Sequence, residues 1–175
     1  MRWTDTPWRP TVNPEAVRFR EQPTPDDPRR VREILESAGF FYPFEVDVAV
    51  ELVETGLEHG SESGYHFLFA EADDRVVGYT CFGSIPCTVG SFDLYWIGVH
   101  DDYRGQGIGK ILLRESERRI AAMSGRAVYI ETASRPQYLP TREFYLRTGY
   151  SIEAVLKDYY APGDDKVIFV KRLSG

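Results

Sequence analysis

The residues best suited by type and spacing to do chemistry lie in one short run, Arg104-Gly105-Gln106-Gly107-Ile108-Gly109-Lys110. Glycines at alternate positions let a backbone turn its N–H groups toward one point, at φ values closed to other residues. Formal positive charges, Arg104 and Lys110, flank them. Such a loop suits an anion, and a phosphate or pyrophosphate is its natural guest. Two common phosphate loops do not fit it. The dinucleotide pattern G-x-G-x-x-G, counted from Gly105, puts Lys110 at its last glycine. The pattern G-x-x-x-x-G-K-[ST] would need a glycine at Arg104 and a hydroxyl at Ile111.

A loop of this kind has to be held between a strand and a helix, and the flanking sequence offers both. Leu94 to Val99 is an apolar run that reads as a buried strand, ending in the turn His100-Asp101-Asp102. From Ile108 onward Ile111, Leu112, Ile120 and Met123 recur on or near one helical face. The positive end of that helix faces the loop. Elsewhere Val17 to Glu21 alternates as a strand does. Thr24-Pro25-Asp26-Asp27 looks like a helix start, with Thr24 as cap and Pro25 in first position, and Gly39 closes that helix. The aromatic linker Phe40 to Phe44 leads to a second amphipathic helix over 45–59.

Tyr65 to Glu71 and Val76 to Phe82 read as a hairpin around Ala72-Asp73-Asp74-Arg75. Ala127 to Thr132 is a further strand, 141–148 a short helix, and Ile152 to Leu156 and Lys166 to Leu173 are final strands. The order β-α-α-β-β-β-α-β-α-β-β describes an α/β fold, a central mixed sheet with helices on both faces. Residues 1–15, with Trp3 and Trp8 among prolines, read as an irregular arm, and 16–175 as one domain.

Composition narrows the field. Hydrophobic residues make up 42% of the chain, which is globular rather than disordered. No apolar run approaches the roughly 20 residues that span a bilayer, and the N-terminus lacks a signal-peptide core, so the expected location is cytoplasmic. A net charge of −6 argues against nucleic acid as a partner. Cys81 and Cys87 have neither further cysteines nor a closely spaced histidine pair to complete a metal site, and read as free thiols. Charge is unevenly placed. Eleven acids and no Lys or Arg lie between Arg32 and Arg75, while Arg104, Lys110, Arg114, Arg118, Arg119 and Arg126 follow downstream. This is either a solvated acidic helix with ordinary surface balance, or a negative face that attracts a cationic acceptor opposite a positive face that holds an anionic cofactor.

The spacing of Arg104, Gly107 and Gly109 fits [QR]-x-x-G-x-[GA], and the sequence here resembles the pyrophosphate loop of the GNAT superfamily of N-acetyltransferases. The element order matches that fold. Arg142-Glu143-Phe144-Tyr145 through Gly149-Tyr150 is similar to a further family segment, with Thr141 where alanine is usual. The resemblance implies acetyl-CoA as cosubstrate, with Arg104 through Lys110 on its pyrophosphate and no metal. It also implies Tyr145 as the acid that protonates the departing thiolate, and Asp93 as an acidic residue that accepts the amine proton. The linker residues Phe41, Tyr42 and Phe44 would form one wall of the acceptor site. The stretch Tyr159-Tyr160-Ala161-Pro162-Gly163-Asp164-Asp165 is similar to the tail of members that acetylate protein N-termini, but Lys166 stands where those have alanine. Family members are frequently dimers, so a homodimer involving the Trp3/Trp8 arm is one option.

The chemistry can be followed from the residues. An amine with pKa near 10 must lose a proton before it attacks a thioester. A carboxylate at a strand end can accept that proton, directly or through water. Asp93 and Glu131 are the candidates. Gly98 in a bulky strand suggests a bulge that frees backbone groups for the developing oxyanion, with Ile97 and Val99 giving main-chain contacts to the pantetheine arm. His100 is a candidate relay. No His–Asp arrangement supports Cys81 or Cys87 as a nucleophile, so direct attack in a ternary complex is preferred. The acceptor would be a small amine, an amino acid or a peptide N-terminus. A non-catalytic acyl-CoA sensor is the alternative. A nucleotide kinase would have only Asp101-Asp102 near the loop as magnesium ligands.

Overall fold

A computed structural model describes residues 10–13 and 16–173. Its elements are β1 (Arg18–Arg20), α1 (Asp27–Ala38), α2 (Pro43–His59), β2 (His66–Ala72), β3 (Arg75–Ser84), β4 (Ser91–Val99), α3 (Ile108–Ala122), β5 (Ala127–Ala133), α4 (Leu139–Arg147), β6 (Ser151–Ala161) and β7 (Asp164–Arg172). The described strands form one sheet in the order β1-β2-β3-β4-β5-β7-β6. All pairs are antiparallel except β4 with β5. Helices α1 and α2 press Val31, Ile34, Leu35, Val46 and Val53 onto Phe67, Phe69 and Tyr79 on one face. On the other face α3 and α4 bury Leu113, Ile120 and Tyr145 with Phe82, Ile130 and Phe169.

The single parallel pair is where the sheet opens. β4 and β5 are in register only from Ser91–Ala127 to Asp93–Tyr129, and they part beyond Asp93. A bulge on the other side of β4 helps: Cys81 pairs with Trp96 but Phe82 with Leu94, so Tyr95 is the extra residue. The bulge expected at Gly98 lies instead at Tyr95. Gly98 lies in regular register opposite Tyr79. It lacks a side chain because a Cβ there would meet Ile34 and Leu35 at 3.1 Å, where α1 comes close to the strand.

The ladder also settles which way β4 turns its backbone. The His100 N–H donates to the Val77 carbonyl at 2.9 Å, so Gly98 and Trp96 bond to β3 as well. By alternation Ile97 and Val99 direct their N–H and C=O groups into the gap between β4 and β5.

Several boundaries moved. Helix α1 begins at Asp27, not after Thr24, and Pro28 rather than Pro25 sits in its first turn. The Asp27 carboxylate explains this: it is buried, accepts from the Thr24 hydroxyl at 3.0 Å and pairs with Arg20 at 2.8 Å. Helix α2 begins at Pro43, so Phe44 belongs to it rather than to the linker. Met123 is 41% exposed, and on the inner face of α3 Ser116 bonds to Thr80 at 2.8 Å. The hairpin turn is tighter than its four-residue reading, with Asp73 and Asp74 both at positive φ.

Of the N-terminal arm, Pro10 to Asn13 are described, and Val12 is buried beside Tyr103 and Ile108. Trp3 and Trp8 lie outside the described residues. No described helix is long and apolar enough to cross a membrane.

Candidate active site

The gap between β4 and β5 continues as a cleft of about 1770 Å³. Single-ligand pockets usually measure roughly 300–1,000 Å³, so this one has room for two molecules. The Arg104–Lys110 loop closes one end, Ile97, Gly98, Val99 and Tyr145 line the middle, and the α1–α2 linker walls the other end.

At the loop end, Gly105 and Gly107 take φ of +76° and +84°, which bulkier residues adopt only with strain. Nothing lies within 4 Å of where a Cβ would stand on either, so the space beside them is open to a guest. The first helical bond of α3 runs from Ile111 N–H to the Gly107 carbonyl at 3.1 Å. The amides of Ile108, Gly109 and Lys110 are therefore the unsatisfied donors of a helix start. The loop thus offers a row of free amides to an anion.

Gln106 differs from its neighbours. Its side-chain amide donates to the Pro10 carbonyl at 2.8 Å and its oxygen accepts from Val12 N–H at 2.7 Å, so the side chain staples the arm, and Gln106 does not line the cleft. Arg104 sits 5.3 Å over the Phe40 ring, linking the loop to the linker wall.

In the middle, Tyr145 is 4% exposed and packs on Phe169 at 5.4 Å between ring centres. Burial pushes its hydroxyl pKa well above the usual phenol value. Asp93 and Glu131 both reach the cleft from the diverging strands. Burial first, then the negative Glu131, raise the Asp93 carboxyl to about 6, with Lys166 pulling the other way. Glu131 is more exposed and holds Lys166 Nζ at 2.6 Å.

At the far end Phe41 packs on Trp96 at 5.6 Å, and Tyr42 stacks on Phe44 at 5.5 Å. Residues that the sequence did not single out complete this wall. Arg135 lies 4.6 Å over Tyr42 and 5.3 Å over Tyr138, with its guanidinium 3.0 Å from Asp164 and 3.7 Å from Glu45. The Tyr138 hydroxyl donates to Glu45 at 3.2 Å, and burial with that carboxylate raises its pKa. Tyr95 and Tyr65 meet edge to face at 5.6 Å beside Asp93. Arg135 and Tyr138 arrive from the β5–α4 connection and Tyr95 from the bulge of β4, and no spacing in the sequence marks them.

Other expected participants lie elsewhere. His100 accepts from the Asp102 N–H at 3.3 Å in its own turn and does not line the cleft, which removes it as a relay. Cys81 is buried, Cys87 is exposed outside the cleft, and both are free thiols. The downstream basic cluster is mostly occupied: Arg118 and Arg119 pair with Glu115 at 3.0 and 2.7 Å, and Arg126 donates to the Val89 carbonyl. Only Arg104 and Lys110 of that cluster border the cleft, and of the eleven upstream acids only Glu45 does.

Comparison with known proteins agrees with this geometry. A model of the acetyltransferase (GNAT) domain matches residues 63–152. An uncharacterized N-acetyltransferase of Methanocaldococcus jannaschii is 34% identical over 106 residues, 61% of this chain and 65% of that relative. An N-alpha-acetyltransferase of Sulfurisphaera tokodaii is 30% identical over 127 residues, 67% of this chain and 75% of its own length. Among solved structures, a protein assigned to the GNAT family of acetyltransferases from Desulfovibrio desulfuricans is 47% identical. It superposes with a TM-score of 0.89 over 91% of this chain and 100% of its own.

Proposed function

The chain belongs to the GNAT family of acetyl-CoA-dependent N-acetyltransferases, and from that premise we propose that it acetylates a primary amine that arrives as an ammonium ion. The observation carrying this reading is one cleft that joins a row of free loop amides to a half-buried carboxylate with a raised pKa. The amides of Gly105 through Lys110 take the pyrophosphate of acetyl-CoA, with Arg104 and Lys110 adding charge. The backbone groups of Ile97 and Val99 hold the pantetheine arm, and the Val99 or Ile97 N–H opposes charge developing on the thioester oxygen.

From the middle of the cleft to its far end four carboxylates, Asp93, Glu131, Glu45 and Asp164, face two cations, Arg135 and Lys166. That excess of negative charge among aromatic rings favours a cation. Asp93 then accepts a proton from the ammonium nitrogen. The freed electron pair forms the bond to the acetyl carbon, the carbon–sulfur bond breaks, and the thiolate takes a proton from Tyr145, whose phenolate recovers the second proton that the nitrogen sheds as it becomes an amide. Neither cysteine lines the cleft, which supports direct attack over an acyl-enzyme. An exposed free thiol at Cys87 is consistent with a reducing cytoplasm as the place of work.

The test is release of the coenzyme A thiol from acetyl-CoA across polyamines, amino acids, aminoglycosides and peptides with free N-termini. Amine-dependent release with at least one class is expected. Tight acetyl-CoA binding with no release for any of them would favour the sensor alternative.

A further inference from the structure

Two carboxylates on neighbouring strands reach the cleft, and only one can be the group that receives the acceptor's proton. Glu131 and Asp93 are not equivalent. Lys166 on β7 is 10% exposed, and its Nζ lies 2.6 Å from Glu131 Oε2. The same ammonium sits 3.9 Å from the centre of the Tyr159 ring and 5.9 Å from that of Tyr160. Held by an aromatic face on one side and a carboxylate on the other, it is not free to swing toward Asp93.

Among the described residues no cation forms an ion pair with Asp93, and Lys166 acts on it only at longer range. Facing it are Glu131 on β5, Lys166 at longer range on β7, and the phenol of Tyr95, whose ring meets Tyr65. Tyr160 of β6, Tyr159 and Asp164 surround the Lys166–Glu131 pair. Two nearby carboxylates that compete for protons acquire separate roles when a single cation is assigned to one of them.

We propose that Lys166 is a positioning residue: by clamping Glu131 as an ion pair it reserves Asp93 as the carboxylate that takes the proton from the acceptor. It touches neither acceptor nor cosubstrate and acts through Glu131. The idea rests on the acetyltransferase reading above and names a control on its base. Without Lys166, Glu131 keeps its charge with no partner, raises the proton affinity of Asp93 further, and itself becomes a competing proton site. Without Glu131, the repulsion on Asp93 ends and the lysine's field on it is undivided.

The test is the pH dependence of kcat/KM for an amine acceptor in the wild type, Lys166→Met, Lys166→Arg and Glu131→Gln, with acetyl-CoA affinity measured in each. Methionine keeps the buried apolar stem, so packing beside Tyr159 is retained. The acidic limb should rise by about half a pH unit or more in Lys166→Met. It should return toward the wild-type position in Lys166→Arg and fall below it in Glu131→Gln, with acetyl-CoA affinity unchanged throughout. A limb that stays in place in both Lys166→Met and Glu131→Gln overturns the proposal. If Lys166→Met does not fold, Glu131→Gln decides alone, since an unmoved limb there is enough to overturn it. Failure of the underlying reading has a different signature: Asp93→Asn would keep the wild-type rate and limb whatever Lys166 does.

Discussion

The two ends of the cleft are built in opposite ways. The cosubstrate end is a backbone device, in which Gly105 and Gly107 at positive φ and the first turn of α3 present amides from one continuous stretch. The acceptor end is a side-chain device assembled from the α1–α2 linker, β4, β5, the β5–α4 connection and the β6–β7 turn. A backbone device tolerates little change in its glycines and leaves a short, regular signature. A side-chain device is held by pairwise contacts such as Arg135 between Tyr42, Tyr138, Asp164 and Glu45, and it can be retuned one residue at a time.

The sharpest break of this comparison is expected at the carboxylate where the two ends meet. Asp93→Asn should lower kcat/KM for the acceptor by roughly a hundredfold or more while acetyl-CoA affinity holds. It should also stabilise the protein in a pH-dependent way. The Asp93 carboxyl in the folded chain is raised from 3.8 to about 6, so the folded state binds this proton more tightly than the unfolded chain does. Its ionised form therefore opposes folding fully above about pH 6 and not at all well below pH 4. Thermal melts should show Asp93→Asn gaining on the wild type at pH 8 and little or nothing at pH 3.5.

Gly107→Val comes next. A side chain in the left-handed region costs about 1–2 kcal/mol, and relieving that strain turns the loop amides away. Acetyl-CoA affinity, read by calorimetry, should weaken about tenfold or more, with the melting temperature falling by only a few degrees, from the strain alone, because nothing packs against this glycine. Tyr145→Phe should cost less, about tenfold in kcat, because a thiolate with pKa near 8.5 leaves readily without help. Its KM for either substrate should not move, since the ring and its packing on Phe169 remain. The smallest effect is expected from Arg135→Met, a several-fold rise in the acceptor KM with the acetyl-CoA KM unchanged. A matching loss of acetyl-CoA affinity would erase the division between the two ends.

The same contrast explains what the sequence could be made to yield. The loop, its strand and helix, and the element order were legible because glycine spacing and apolar periodicity are local signals. Phe41, Tyr42 and Phe44 were legible as a wall only through the family resemblance. Arg135, Tyr138 and Lys166 were not, since each acquires its meaning from contacts with residues distant in the chain, as Lys166 does with Glu131. The helix starts at Asp27 rather than after Thr24 because the Asp27 carboxylate is held from both sides, by Arg20 and by the Thr24 hydroxyl. Gly98 was read as a bulge when close packing of α1 was its cause, and a missing side chain looks the same in either case.

The most direct test of the account is the pH dependence of amine-driven thiol release by the wild-type chain beside Asp93→Asn. The wild-type rate should climb through a limb near pH 6. This limb should be missing from a much slower Asp93→Asn that still binds acetyl-CoA. A wild-type profile without that limb, or an Asp93→Asn enzyme that retains both limb and rate, would contradict it.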